Sequence, residues 1–102
     1  MGINIAIVTE TGHEIELLPD PRNITKALLL NSPDAGSSCL RFVDPYGDTI
    51  FNRLQIPLLI GELEETLSRL PNEEAKVHAA KIVALARRAM QDVHKFLKFI
   101  GD

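Results

Sequence analysis

The sequence is short of the residues that usually announce chemistry. In 102 residues it has one cysteine, one tyrosine, three histidines and no tryptophan. The lone Cys39 excludes a disulfide framework within the chain, and a reducing compartment is the simplest expectation. Cys39 sits in an apolar run, where a buried structural thiol is expected rather than a nucleophile. His13, His78 and His94 are far apart. The last two fall on one predicted helix about 24 Å apart along its axis, too far to share an ion. His13-Glu14 lacks the second histidine of a zincin pattern. Glycines are scattered singly, so no phosphate-cradling loop is present, and no serine lies in a nucleophile-elbow pattern. No metal, no cofactor and no catalytic residue are therefore expected.

Long hydrophobic runs are missing too. No window approaches the roughly 20 apolar residues of a membrane span. MGINIAIVTE is too short and lacks the basic start of a signal peptide. Ala6 stands where a myristoylation pattern requires Ser or Thr. A cytoplasmic protein with no membrane partner is expected. Net charge is −3, from 14 acids and 11 bases, which gives no general pull toward nucleic acid. Seven acids and three bases fall in residues 1–52; eight bases and seven acids fall in 53–102. What is present is ordinary globular composition, 45% hydrophobic and 25% charged, with room for a single domain over 1–102.

Periodicity organises the chain. Residues 3–9 alternate, with Ile3, Ile5 and Ile7 on one side, and predict a strand. A turn at Thr11-Gly12-His13 returns the chain into Glu14–Leu17, with Ile15 and Leu17 on the apolar face. Glu14, Glu16 and Asn4 indicate that part of the opposite face is solvated. Pro19-Asp20-Pro21 breaks the structure, and Asn23 is the expected N-cap of a short helix over 24–30. Residues 31–38 read as a loop.

Residues 39–52 read as a second hairpin. Leu40 and Phe42 alternate with Cys39, Arg41 and Val43. Asp44-Pro45-Tyr46-Gly47 supplies a turn in which Gly47 takes the left-handed position. The period then changes to 3.6. Pro57 opens a helix striped by Ile56, Leu59, Ile60, Leu63, Leu67 and Leu70, with Gly61 allowing close approach of another backbone. Pro71 ends it, and Asn72 caps a last helix predicted over 73–99. That helix would be about 40 Å long, against about 26 Å for the diameter of a chain this size. It must therefore overhang, break or pack on a partner. The fold class expected is α+β: a four-stranded, mainly antiparallel sheet of two hairpins with a short helix between, packed by a C-terminal helical hairpin.

The binding site expected is the turn and the strand-to-helix junction: Tyr46, Asp44, Asp48, Asn52, Arg53 and Gln55. Tyr46 is an aromatic at a turn tip, and Tyr and Arg are enriched among interface hot spots. Arg53 can fork onto a carboxylate or phosphate next to a helix N-terminus. Against this, Asn52 and Gln55 can cap backbone groups while Arg53 pairs with Asp44 or Asp48. Asp44 and Asp48 flank the turn and could act as an acid–base pair, or simply hold turn amides and face solvent. Lys81, Arg88 and Lys95 repeat every seven residues, which reads as a solvated helix face rather than a nucleic-acid contact. The stretch Ala79, Ala80, Ala84 and Ala86 suits close helix packing in a homodimer.

The segment CLRFVDPYGDTIFNRLQ and the ending FIGD resemble a family of small bacterial proteins of similar length. The resemblance spans the chain in outline. It implies a free-standing bacterial protein and brings no activity with it. The function expected is a non-catalytic binding protein for a protein partner, of adaptor or immunity-inhibitor type. The alternatives are a small-molecule or anion-binding regulatory domain centred on Arg53 and a hydrolytic enzyme using Asp44 and Asp48.

Overall fold

Alternation and helical periodicity resolve into eight elements among the described residues. A computed structural model describes residues 2–20, 22–30, 39–70 and 72–101. The order is β1 (Asn4–Thr9), β2 (Glu14–Leu18), α1 (Ile24–Leu30), a short 3-10 turn (Leu40–Phe42), β3 (Asp48–Phe51), α2 (Ile56–Leu67), α3 (Glu73–Ala89) and β4 (Lys95–Ile100). The strands form one antiparallel sheet in the order β2-β1-β4-β3. The α+β class and the four-stranded sheet are as expected. The loop expected over 31–38, and Pro71 as a breaker, lie outside the described residues.

The fourth strand comes from a different place. Residues 39–43 alternate in polarity but do not extend. The backbone N–H groups of Cys39 and Leu40 donate to the Glu62 carboxylate of α2 at 3.1 and 2.9 Å. The chain therefore closes a 3-10 turn instead of entering a ladder. Gly47 does not take the left-handed conformation; among the described glycines only Gly12 does, at φ 86°. The turn at 44–47 survives as an Asx turn, with Tyr46 N–H donating to Asp44 Oδ1 at 2.9 Å.

The missing strand is cut from the long helix expected over 73–99. Helix α3 stops at Ala89. His94 N–H donates to Asp92 Oδ1, and Lys95 N–H to Asp92 O. Residues 95–100 then pair with β1 on one side and β3 on the other. An unbroken helix would exceed the chain's greatest extent of 36 Å. Lys95 therefore leaves the basic helix stripe, and Arg88 and Arg87 are taken by Glu16 and Glu64.

Register separates the two faces of the sheet. Ile5 pairs with Leu18 and Phe99, and Ile7 with Glu16 and Leu97. Those apolar side chains join Phe51, Leu28, Leu59, Leu63 and Ile82 in one core beneath the helices. Phe51 meets Phe99 edge-on, 5.7 Å between centroids. The other face carries Leu17, Ala6, Lys98 and Ile50 in one row. Leu17 is thus on the open side, half exposed, and not on the buried face its alternation suggested. A register break opposite Ile7 and Val8 accompanies this shift. Glu16 faces the helices and binds Arg88 through two hydrogen bonds.

The helices are closed by side chains. Asn72 Oδ1 accepts from Ala75 N–H at 2.8 Å and caps α3 as expected. For α1 the acceptor is Asp20, not Asn23. Its carboxylate takes Ile24 N–H at 2.7 Å and Thr25 N–H at 2.9 Å. Asn23 instead sits at φ 57°, a conformation asparagine tolerates. Gly61 has open space around it rather than a neighbouring backbone. Ala79 and Ala86 are buried within the chain's own core, whereas Ala80 and Ala84 face out. Among the described residues no helix is long and apolar enough to cross a membrane.

Candidate functional site

The expected site residues lie close in sequence, and most are engaged in shaping the backbone. Asn52 and Gln55 form a reciprocal capping box at the start of α2. Asn52 Oδ1 accepts from Leu54 N–H at 2.9 Å and Gln55 N–H at 3.1 Å, and Gln55 Oε1 accepts from Asn52 N–H at 3.0 Å. Asp44 holds Tyr46 N–H, while its own N–H donates to Thr49 Oγ1. Asp48 pairs with Lys98, 3.4 Å away on the open sheet face. The two carboxylates thus hold different partners. The turn is also locked to the chain's last strand. Gly101 N–H donates to Gly47 O at 2.8 Å, and a Cβ on Gly101 would lie 2.5 Å from the Gly47 backbone.

Two of the expected residues remain uncommitted. Arg53 is exposed and makes no ion pair among the described residues. Tyr46 is 74% exposed, with the Lys26 amine 5.7 Å from its ring centroid. Close to them in sequence are exposed apolar side chains that sequence reasoning did not single out. Leu54, just before α2, and Leu58, in its first turn, are 70% and 59% exposed. Phe42 is 62% exposed, with the Arg41 guanidinium 4.7 Å over its ring. Glu62 lies one turn beyond Leu58 and grips the N–H groups of Cys39 and Leu40. That bond ties the turn that precedes Phe42 to α2. Of the ten exposed large hydrophobics among the described residues, five fall between residues 42 and 58, with Ile50 of these on the open sheet face. The only signal in the sequence was negative: Leu54 and Leu58 sit off the core stripe of α2. Cys39 beneath this surface is buried, and burial first, then Glu62, pushes its thiol pKa up, which keeps it protonated and inert.

A second constellation was not foreseen. The Asp20 carboxylate is 2% exposed and also accepts from Ile3 N–H at 3.3 Å. His78 of α3 places Nε2 2.9 Å from the Thr25 hydroxyl and 3.9 Å from Asp20 Oδ1. Burial is the main cause that lowers the His78 pKa; Asp20 pulls it up and Lys81 pushes it down. Thr25 and Asp20 approach the same ring nitrogen, so the group lacks the relay geometry of a nucleophile, base and orienting acid. It is a polar knot joining the chain start, α1 and α3. A groove of about 500 Å³ opens beside it, lined by Leu18, Pro19, Ile24, Val77, His78 and Lys81 among others. No signal in the sequence links these segments. Among the described residues no cluster of His, Cys, Asp or Glu could hold a metal ion. No protein-family model, curated protein or solved structure matches the chain.

Proposed function

We propose that the chain is a non-catalytic binding protein that holds a protein partner through the surface of residues 42–58. The observation that carries this reading is the run of exposed Phe42, Tyr46, Leu54 and Leu58 within residues 42–58, together with an exposed Arg53 that makes no ion pair among the described residues. Water-facing aromatics and leucines cost stability to no evident folding purpose, and clustered apolar patches with Tyr and Arg are what interfaces use as anchors. The support beneath them is rigid: the capping box, the Glu62 clamp and the Gly47–Gly101 bond fix the backbone that presents them. A preformed surface loses less freedom on binding. An adaptor or an inhibitor of a bacterial partner fits this design.

The test is capture from a lysate of the source cells on immobilised protein. A protein retained by the native chain, and equally by a Leu17→Ala control on the open sheet face, is expected to be lost by the double variant Tyr46→Ala, Leu54→Ala. Undiminished retention by the double variant would remove this surface from the function.

A further inference from the structure

We infer that the groove between β2, α1 and α3 is a second binding site, for a singly charged organic carboxylate. The carboxylate lies between the Lys81 amine and His78 Nδ1, and the apolar body covers Leu18, Ile24 and Val77. The groove's volume of about 500 Å³ falls within the range of small-ligand sites. Its lining is mainly apolar, and Val77 is half exposed there, on the side of α3 turned away from the core stripe.

The charges around the groove select the ligand. Asp20 at its base accepts three backbone N–H bonds, which offset its charge. Arg22 and Glu74 at the rim are paired with each other at 2.9 Å. Lys81 makes no ion pair among the described residues, and it is near enough to His78 to disfavour a proton on the ring. His78 and Lys81 are three residues apart and share one helix face. Nε2 of His78 is taken by Thr25. Nδ1 has no protein partner among the described residues and is not sealed from solvent. A carboxylate placed between the two nitrogens would accept charge-assisted hydrogen bonds from both. It would also offset the repulsion between Lys81 and a protonated ring. Glu73 and Glu74 at the other end disfavour a dianion such as phosphate.

The probe is 3-phenylpropanoate, with 3-phenylpropanamide as its uncharged counterpart, titrated into isotopically labelled protein. The methyl signals of Leu18, Ile24 and Val77 read groove occupancy, and the His78 ring signals read the anion. The expected result is saturable movement of both sets by the carboxylate, a rise in the His78 titration midpoint, and at least tenfold weaker binding to Lys81→Gln. Lys81 is exposed, so that variant keeps the fold. Equal binding of amide and carboxylate, or no effect of Lys81→Gln, would overturn the anion assignment. Immobile methyl signals with both probes would overturn the site. Neither outcome bears on the surface at 42–58, which is read by capture.

Discussion

Asp20 and Asn52 do the same job in two places, and the difference lies in where water can reach. Each uses a side-chain oxygen to accept from backbone N–H groups at the start of a helix. Asp20 is buried, accepts from Ile3 as well as from the start of α1, and lies 3.9 Å from His78 of α3. Asn52 is exposed and serves only its own turn. A buried donor that loses its acceptor stays unsatisfied, whereas an exposed one turns to solvent. The knot should therefore hold the tertiary fold, and the capping box should set only the local direction of a helix. Under the proposed function that direction still matters, because Leu54 and Leu58 are exposed there.

The comparison is broken most easily at its strong end. Asp20→Ala leaves three amides without their acceptor, two of them in the first turn of α1. The expected loss is about 4 kcal/mol of stability, read as a lower midpoint in urea unfolding. A loss no larger than that of the exposed cap would erase the distinction. Asn52→Ala is the matched change at the other end, and the expected cost is about 1 kcal/mol. The pH response comes last and sharpens the comparison by sign. Burial lowers the His78 pKa below its ordinary value of 6.5, so the unfolded chain takes up the proton more readily than the folded one. Stability is then complete above pH 6.5 and declines as pH falls below that value. Urea midpoints measured between pH 7.5 and 5.5 should fall with pH in the native chain and flatten in His78→Gln. No comparable response should come from the Asn52–Gln55 box, which contains no titratable group.

Much of the fold was legible because local pattern and tertiary demand agreed. The Ile3, Ile5, Ile7 alternation, the stripe of α2 and the Asn72 cap are each read within a few residues. The errors arose where a distant partner decided. Cys39–Val43 alternates like a strand, but Glu62, more than twenty residues away, captures its amides. In KFLKFI, Phe96, Leu97 and Ile100 fit a helical stripe, while Leu97 and Phe99 fit a strand face equally well. Pairing with both β1 and β3 decided for the strand. Leu17 was placed on the wrong face because one residue of register inverts every side chain. Of the residues expected to form the site, the turn and junction they occupy are legible and their hydrogen-bond roles are not. Asp44, Asn52 and Gln55 carry the polar pattern that drew attention, yet their hydrogen bonds go to backbone. The groove was invisible because residues 18–24 and 77–81 meet only through tertiary packing.

The central claim is a division of labour: polar side chains of 44–55 hold the backbone, and the apolar and aromatic ones above it hold a partner. Its most direct test measures stability and partner capture on one protein, the double variant Tyr46→Ala, Leu54→Ala. The account predicts unfolding within about 0.5 kcal/mol of the native chain, as for surface substitutions generally, together with loss of the captured protein. Capture retained at native strength, or a destabilisation as large as that of Asp20→Ala, would contradict it.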